Sequence, residues 1–513
     1  TLQTVDKHGY VTARVINMSN EDVRVPLLTA MARFVIDPRE YVEPLEFNTQ
    51  EIMASCHIDP CHDAAARAAI KQMLSKRRRL FRSELGRAYA HGYKMRISMP
   101  KVESGEVPAP SDNPRPLPPK ELAALEEAVK KQLRMGLIEP SSSPFKARPL
   151  LIPKASPGGG YRVVLDYRKA NELLVKDSYP LPTVDQRLNA LGRANWFTTV
   201  DLMMGFHQVE LEDGISKEAT AFGTPFGTFQ YVRAPMGLAT SPATFVRLVA
   251  AVLRGLPPGI CQAYVDDICI PTCGSLDDHL RDVGMVLDRL IEGGFTVRAD
   301  KLHLAMREVP FLGFICGGPG TRPDPTKLAP LLDMTIEQMG FDPAAASRFA
   351  GMIGVYYQFL PDLQVILEPF HALRAKGVDA REARQRMTSL SFLAAFAAAK
   401  HALGNVVARA RPDFSKPFYV DVDTAASMGI GAVLTQRADD AGETTHRPLG
   451  FYSRRFTDGE RRYGVRDQEC LGIVEALRHW RPVVLGCTVI VRTDHRSLHW
   501  LMRTVHPSGS RVA

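Results

Sequence analysis

The sequence predicts an α+β protein made of several domains. Its 513 residues exceed the size of one ordinary domain, and 45% of them are hydrophobic, which is enough for several packed cores. Segments with strand-like alternation and segments with helical spacing follow one another along residues 145 to 316. A second β-rich segment begins at "PFYVDVD", residues 417 to 423. Stretches rich in proline and glycine separate these parts, so we expect separate packing units.

These breaks divide the chain into five parts. "VPAPSDNPRPLPP" predicts an extended, semi-rigid linker, and "GGPGTRPDP" at 317 to 325 interrupts the strand and helix alternation. The predicted parts are an N-terminal segment with a small β-rich region and then a helix (1–106), the linker (107–119), a mixed domain (120–325), a mostly helical section (326–410) and a second α+β domain (411–513).

The overall charge indicates a polyanionic partner without identifying it. Lysine and arginine number 64 against 56 acidic residues, a net charge of +8. Eight cysteines are scattered along the chain, which is unlike a disulfide framework and typical of a reducing compartment. The longest apolar run, "FLAAFAAA" at 392 to 399, is too short to span a bilayer, so no membrane association is expected.

One short acidic motif interrupts an apolar stretch. "CQAYVDDICI", residues 261 to 270, places Asp266 and Asp267 between strand-forming neighbours. Burying an unpaired carboxylate costs several kcal/mol, so such a pair indicates a solvated turn or a cation site, and this decapeptide alone favours the turn. Asp201 ends another strand-like run in "WFTTVDLMMGFHQVEL". If the two strands are neighbours, three carboxylates meet at one sheet edge, which is the donor set for two Mg²⁺ ions.

Eight ordered blocks carry a resemblance to a known family. The segment from about 117 to 325 resembles the reverse transcriptase of gypsy-type long-terminal-repeat retrotransposons, which implies a right-hand polymerase with fingers and palm over 120–325 and thumb and connection over 326–410. The blocks are "LIEPSSSPFKARPLLIPK", "GYRVVLDYRKAN", "YPLPTVDQRLNAL", "FTTVDLMMGFHQVEL", "TAFGTPFGTFQY", "APMGLATSPATF", "AYVDDICI" and "FLGFICGGPGTRPDP".

The resemblance assigns roles to individual polymerase residues. Asp201 and Asp266 match the carboxylates that bind two Mg²⁺ ions, and Asp267 matches their less directly involved neighbour. Four positions match contacts to the incoming deoxynucleoside triphosphate. They are Arg162 and Lys154 in the fingers, Phe206 under the deoxyribose, and Met236, where relatives carry glutamine or phenylalanine. Without the resemblance, Arg162 reads as a surface arginine and Phe206 as core packing.

The tyrosine pair of the helical section leaves two interpretations open. "FAGMIGVYYQFLPDL", residues 349 to 363, resembles a block of the same family more loosely. Its Tyr356 and Tyr357 either line the primer–template track or pack inside the helices.

The last part, residues 411 to 513, resembles the ribonuclease H domain that follows this polymerase. Asp423, Glu469 and Asp494 match the acids that hold two Mg²⁺ ions for hydrolysis of the RNA strand of a hybrid. One more residue than expected separates Asp423 from Gly429, so Asp421 is an alternative first acid. Residues 495 to 513 contain no Asp or Glu, so we expect a C-terminally truncated domain with weak or absent cleavage.

The resemblance implies an RNA-directed and DNA-directed DNA polymerase. Its partners would be an RNA template, a DNA primer, the RNA–DNA hybrid and dNTPs, and its place would be inside the cell, in cytoplasmic virus-like particles and in the nucleus. A decayed or reused non-catalytic nucleic-acid-binding remnant is the alternative from another class. An RNA-directed RNA polymerase would share the paired acids but would not explain the attached nuclease-like domain.

Overall fold

The structure, a computed structural model, describes most of the chain. The described residues are 2–5, 11–13, 47–88, 92–112, 115–154, 160–318, 320–373, 380–425, 429–438 and 445–493. The chain forms two compact units, Thr1–Leu45 and Glu46–Ala513. What is described of the first unit is an antiparallel pair of strands, β1 (Leu2–Val5) and β2 (Val11–Ala13).

The second unit mixes strands and helices throughout its described length. Its strands are β3 (His57–Ile58), β4 (Ile138–Pro140), β5 (Arg148–Pro153), β6 (Tyr161–Asp166), β7 (Trp196–Asp201), β8 (Phe222–Thr224), β9 (Gly227–Tyr231), β10 (Gln262–Tyr264), β11 (Asp267–Thr272), β12 (His303–Met306), β13 (Glu308–Phe311), β14 (Phe314–Gly317), β15 (Gly320–Pro323), β16 (Phe418–Ala425), β17 (Gly429–Arg437), β18 (His446–Arg455) and β19 (Val489–Arg492). Its helices are α1 (Thr49–Ser55), α2 (Ala64–Ser75), α3 (Pro100–Glu103), α4 (Pro119–Arg134), α5 (Arg168–Leu173), α6 (Val184–Asn189), α7 (Ile215–Glu218), α8 (Ser241–Val252), α9 (Leu276–Glu292), α10 (Pro325–Asp333), α11 (Pro343–Gly354), α12 (Leu363–Ile366), α13 (Glu368–Ala372), α14 (Ala380–Met387), α15 (Leu390–Gly404) and α16 (Val465–Val484).

A five-stranded sheet in the order β10-β11-β7-β12-β3 forms the centre of the polymerase-like part. Its middle strand β7 is buried on both faces from Phe197 to Val200. Thr198 and Thr199 are the polar residues of this stretch. The Thr198 hydroxyl accepts a hydrogen bond from the Ala305 amide at 3.0 Å and lies 2.8 Å from His279 Nε2. Because Thr198 is fully buried and hydrogen-bonded, β7 holds Asp201 at its end on a rigid support.

The helix α9 shows how the sequence covers this sheet. Ser275 caps its first turn by accepting a hydrogen bond from the Asp278 amide, and the helix buries Val283, Leu287 and Leu290 along one face. This face packs against β7 and β11 in the largest hydrophobic core of the chain.

Residues 47 to 106 pack on the polymerase core, which corrects the predicted N-terminal segment of residues 1 to 106. Strand β3 pairs in parallel with β12, and Ile52, Ile70 and Leu74 are fully buried in the same core as the palm strands. Pairing between segments so far apart in the sequence leaves no local pattern, so composition placed the boundary at 107 instead. The proline-rich stretch is also held in place, since the Asp112 amide donates to the Lys146 carbonyl at 2.8 Å.

A second hydrophobic core lies among α10–α15 and the three-stranded sheet β13-β14-β15. Phe349, Phe370 and Phe396 form its aromatic centre, with ring centroids 5.1 to 6.5 Å apart. This core includes Phe311 and Phe314 as well, so it extends across the boundary predicted at residue 325. No helix within the described residues combines the length and the apolar character that crossing a membrane requires.

The last part contains a four-stranded sheet in the order β18-β17-β16-β19 with helix α16 on one face. Strand β16 pairs antiparallel with β17 and in parallel with β19. Val420 and Val422 alternate along β16 on the face that packs with Ala476 and Trp480 of α16. Because successive side chains of β16 point to opposite faces of the sheet, this alternation decides which acids of β16 can face α16.

Candidate active sites

The strands β7 and β11 bring the first acidic set together. In their antiparallel pairing Asp201 lies directly opposite Asp267. Asp266 precedes Asp267, and its carbonyl accepts a hydrogen bond from the Leu202 amide at 3.2 Å. Asp201 and the adjacent pair Asp266 and Asp267, 65 positions further along the chain, therefore meet at one edge of the sheet.

The paired aspartates are placed there by a tight hairpin. Tyr264 pairs with Asp267, which leaves Val265 and Asp266 as a two-residue turn. Val265 has φ of 54°, a left-handed conformation that a β-branched residue adopts only against strain. The strain is held by the two flanking strands, and it fixes Asp266 at the tip of the sheet. This turn accounts for two adjacent acids between strand-forming neighbours.

Burial and mutual repulsion disfavour the charged forms of these acids. Burial, followed by the nearby charges of Asp266 and Asp201, raises the pKa of Asp267 from 3.8 to about 6. Burial raises the pKa of Asp266 as well, and Asp201 adds to that increase. The site therefore carries negative charge that the protein only partly compensates, and a bound cation would relieve it.

Lys301 supplies the positive charge that partly compensates these carboxylates. Its ammonium Nζ donates to Asp201 Oδ2 at 3.0 Å, from the turn that precedes β12. Lys301 lies 100 residues from Asp201 in the sequence, so no spacing pattern marked it as a functional residue.

The chemistry of these residues fits divalent cations, although their side chains are not arranged around one point. Asp201, Asp266 and Asp267 offer hard carboxylate oxygens, which Mg²⁺ prefers. Among the described residues, however, no three acidic, histidine or cysteine side chains already surround a common point. Lys301 holds one oxygen of Asp201, so a metal-bound state requires this ion pair to rearrange.

Phe206, the predicted sugar contact, follows a glycine that packs against the acidic hairpin. A Cβ built on Gly205 would come 3.1 Å from Asp266 Cβ and 2.9 Å from Phe245 Cζ, so only glycine allows this close approach. The Phe206 ring packs at 5.2 Å, tilted by 57°, on Phe245. The backbone at Gly205 therefore lies against Asp266, and Phe206 is the residue that follows it.

The predicted nucleotide contacts of the fingers lie on one hairpin. Strands β5 and β6 pair Ile152 with Arg162, and Lys154 follows β5 with its amide bonded to the Gly160 carbonyl. Lys154 and Arg162 are exposed. The guanidinium Nη2 of Arg162 lies 3.7 Å from Met236 Sδ, so the structure brings two of the four predicted residues into contact.

Asp423, the predicted first acid of the second site, lies on the side of β16 that faces away from Glu469. This corrects the prediction that the two acids share one site. Asp423 is exposed and pairs with Gly431, where an added Cβ would lie 3.1 Å from Asp362 Oδ1 of the preceding section. Paired residues of an antiparallel sheet share a face, so Asp423 faces this section and not α16. Asp421, the alternative, shares the phase of Asp423, and Arg492 holds it with two hydrogen bonds of 2.5 and 2.6 Å.

Thr424 is the residue of β16 that meets Glu469. The Glu469 side chain is buried at the helix–sheet interface, and its Oε1 accepts a hydrogen bond of 2.5 Å from Thr424 Oγ1. Sequence reasoning missed Thr424 because it searched for acids. The alternation of Phe418, Val420 and Val422 would have placed the next residue of that face at 424. Asp494, the third predicted acid, and residues 495 to 513 lie outside the described residues.

The tyrosine pair follows the packing interpretation. Tyr356 is 8% exposed, and its ring contacts Phe314 edge-on at 6.0 Å. Tyr357 is half-buried, and its hydroxyl accepts a hydrogen bond from Gln358 Nε2 at 2.7 Å. Both tyrosines of the thumb and connection section therefore contact neighbouring protein residues.

Comparison with known families identifies both domains. Residues 152–316 match the model of reverse transcriptase (RNA-dependent DNA polymerase), and residues 413–513 match the RNase H-like domain found in reverse transcriptase. The two acidic sets lie within these two ranges.

Several curated polyproteins are similar along most of this chain. The retrovirus-related Pol polyprotein from transposon 297 of Drosophila melanogaster is 34% identical over 391 residues, which cover 75% of this chain and 35% of the relative. That from transposon gypsy of the same organism is 32% identical over 381 residues, covering 72% and 36%. A Tf2-3 polyprotein of Schizosaccharomyces pombe is 28% identical over 386 residues, covering 75% and 28%. The chain thus spans about a third of the length of these relatives.

Solved structures confirm the predicted fold of a right-hand polymerase followed by an RNase H-like domain. A foamy viral protease–reverse transcriptase in complex with double-stranded DNA has a TM-score of 0.71 at 20% identity, covering 90% of this chain and 91% of that one. The same kind of protein in complex with an RNA/DNA hybrid has a TM-score of 0.70 at 20% identity, covering 89% and 58%. The chain therefore belongs to the gypsy-type long-terminal-repeat retrotransposon polyproteins, of which it carries the reverse transcriptase and its RNase H-like domain.

Proposed function

We propose that this chain is an RNA-directed and DNA-directed DNA polymerase. The observation that carries the proposal is the register of β7 and β11, which places Asp201 opposite Asp267 with Asp266 in the adjoining turn. Phosphoryl transfer is catalysed mainly by positioning and by charge stabilisation, and this sheet edge supplies a rigid position for both.

We propose two Mg²⁺ ions as cofactors of the polymerase site, held by Asp201 and Asp266. When bound, the ions supply Lewis acid stabilisation to the phosphates and acidify the primer hydroxyl. The protein contributes the position of the carboxylates through β7 and the hairpin, while Asp267 adds charge behind them. Lys301 keeps Asp201 paired until a cation replaces its ammonium group.

The nucleotide contacts follow from the surroundings of this edge. Arg162 offers a guanidinium for the triphosphate, and Lys154 lies on the same hairpin to add charge. Phe206 presents a ring edge that would clash with a ribose 2′-hydroxyl. Met236 contacts Arg162 through its sulfur and so orients the guanidinium without donating a hydrogen bond.

The proposed partners are an RNA template, a DNA primer, the RNA–DNA hybrid and dNTPs. The net charge of +8 and the similarity in fold to proteins solved with double-stranded DNA and with RNA/DNA hybrid support nucleic acid as partner. Sequence would be read by base pairing, and the RNase H-like domain would hold the hybrid by its shape. Eight free thiols support a reducing environment, and we propose cytoplasmic particles and the nucleus as the places of action.

Primer extension tests the proposal. The protein is supplied with a DNA primer on an RNA template or on a DNA template, with Mg²⁺ and either dNTPs or NTPs. We expect extension on both templates, preference for dNTPs and complete loss on chelation of the metal. Extension from NTPs alone would indicate an RNA polymerase, and binding of the hybrid without any extension would indicate a non-catalytic remnant.

A further inference from the structure

The helix-facing side of β16 carries a threonine where the RNase H-like site needs its first acid. Val420, Val422 and Thr424 share this side, and a Cβ built on Gly472 of α16 would lie 3.0 Å from Val422 and 2.9 Å from Thr424. Glu469 is one helical turn before Gly472, so the same face of α16 presents Glu469 to the strand. The helix and strand therefore meet closely, with the pair Thr424–Glu469 between them.

The Glu469 carboxyl group is buried, and only one of its two oxygens has a hydrogen-bond partner among the described residues. It is 4% exposed, one of its oxygens accepts from Thr424, and within the described residues its buried Oε2 has no hydrogen-bond partner. Burying a carboxylate in this way costs several kcal/mol unless a donor or a cation satisfies it. The second oxygen therefore leaves room for one further donor or cation at Glu469.

The aspartates of β16 cannot take the place of Thr424. Asp421 and Asp423 lie on the opposite side of the strand, where Arg492 pairs with Asp421. Bringing Asp423 to Glu469 would require a slip of one residue along β16. Because successive side chains alternate, that slip would turn the buried Val420 and Val422 out of the core.

Thr424 changes what the site can bind. A threonine hydroxyl is neutral and donates its proton to Glu469, whereas an aspartate would add an anionic oxygen donor beside it. Two divalent ions need several carboxylates to offset their charge and complete their shells. Among the described residues, the other acids on this side of the sheet, Glu460 and Glu475, are paired with Arg454 of β18. Glu469 is then the one described acid beside Thr424, and this set does not fit the metal pair of a hydrolytic RNase H site.

We propose that Thr424 occupies the position of the first metal-binding carboxylate in the RNase H-like domain, and that the domain consequently holds RNA–DNA hybrid without hydrolysing it. This inference rests on the proposed function, because it presumes that the hybrid formed by polymerisation is the ligand of the domain. It assigns the loss of hydrolysis to one side chain within the folded domain and predicts that one substitution reverses it.

Metal binding tests the assignment without relying on activity. In chains that carry Asp266→Asn to weaken the polymerase site, Mn²⁺ titration followed by electron paramagnetic resonance counts the tight sites. We expect Thr424→Asp to add one ion per chain and Thr424→Asn, its uncharged match, to add none. The added ion should disappear when Glu469→Gln is combined with Thr424→Asp.

Two results would overturn the proposal. One is a tight Mn²⁺ ion in the RNase H-like domain of the unmodified chain that Asp423→Asn removes, since Asp423 would then be the ligand. The other is a Thr424→Asp chain that binds no additional ion while its primer extension, measured with Asp266 intact, equals that of the unmodified protein. Normal extension shows that the polymerase part is folded, and a circular dichroism spectrum and unfolding curve equal to those of the unmodified protein show the same of the RNase H-like domain.

Cleavage of a labelled RNA strand in a hybrid provides the second measurement. We expect the unmodified chain and its Glu469→Gln variant to show the same background, and Thr424→Asp to exceed it at least tenfold. Cleavage by the unmodified chain that Glu469→Gln or Asp423→Asn abolishes would overturn the proposal whatever Thr424→Asp does. Extension by the unmodified chain reports separately on the polymerase, so the two proposals can fail independently.

Discussion

Lys301 holds Asp201 in an ion pair of 3.0 Å at the edge of the sheet where the polymerase carboxylates meet. The Lys301 side chain is about half exposed, so the pair is weak and can open at small cost. An ammonium group and a divalent cation compete for the same carboxylate oxygen. Lys301 thus compensates the charge of Asp201, and a cation at the proposed metal site would displace its ammonium group.

The first prediction is that Lys301→Met lowers the Mg²⁺ concentration for half-maximal primer extension. Methionine keeps the length of the side chain and removes the competing charge, so we expect a shift of about twofold to tenfold, equivalent to about 0.4–1.4 kcal/mol. A Mg²⁺ titration of extension rates measures it. Lys327→Met, in the remote helix α10, is the control. An increase in the Mg²⁺ requirement would show that Lys301 supports metal binding instead of opposing it.

The second prediction concerns sugar selection by Phe206. Phe206→Val removes the proposed steric clash with a ribose 2′-hydroxyl and should raise the specificity constant for ribonucleotides relative to deoxyribonucleotides by one to two orders of magnitude, on the order of 1–3 kcal/mol. Single-nucleotide incorporation with matched dNTP and NTP measures the ratio. Phe245→Leu alters the ring that supports Phe206 and serves as the packing control. If both nucleotides slow equally in Phe206→Val, the ring has only a packing role.

The third prediction follows from the raised pKa of Asp267. Because the folded-state pKa of about 6 exceeds the ordinary value of 3.8, the favourable contribution of protonated Asp267 is present in full below pH 3.8 and is lost as the pH rises through 6. Asp267→Asn should therefore stabilise the metal-free protein at pH 8 by about 1–2 kcal/mol after screening is considered, with a smaller gain at pH 5. Thermal unfolding at both pH values measures the difference. An equal gain at pH 5 and pH 8 would contradict the electrostatic explanation.

Local patterns in the sequence marked the hairpin and the strand end that carry the proposed polymerase carboxylates. The change from apolar residues to two acids marked the hairpin at Asp266 and Asp267, and a strand-like run ending in an acid marked Asp201. The sequence raised their meeting as a condition, that the two strands are neighbours, and β7 and β11 are paired in the structure. The strained φ of Val265 has no sequence pattern, since it arises from the flanking strands and not from the residue itself.

Long-range packing accounts for what sequence reasoning lacked. Lys301 reaches Asp201, and β3 reaches β12, only once the sheet has formed. Asp423 illustrates a different cause, because the prediction followed the residue type and not the phase of the strand. The buried alternation from Phe418 to Val422 contains the information that excludes Asp423 from the helix side.

Asp266→Asn tests the central claim, which is that the carboxylates at this sheet edge catalyse DNA synthesis. The variant keeps the shape of the side chain and removes the charge that would fix a cation, while binding of the duplex depends on phosphate contacts spread over the protein. Asp213→Asn, whose side chain is 80% exposed, is the matched control.

The decisive measurement is primer extension on an RNA template by these two variants, together with their affinity for the same hybrid. The account predicts at least a thousandfold loss of extension in Asp266→Asn, ordinary extension in Asp213→Asn, and affinities within about threefold of the unmodified protein for both. Substantial extension by Asp266→Asn at normal hybrid affinity would contradict it.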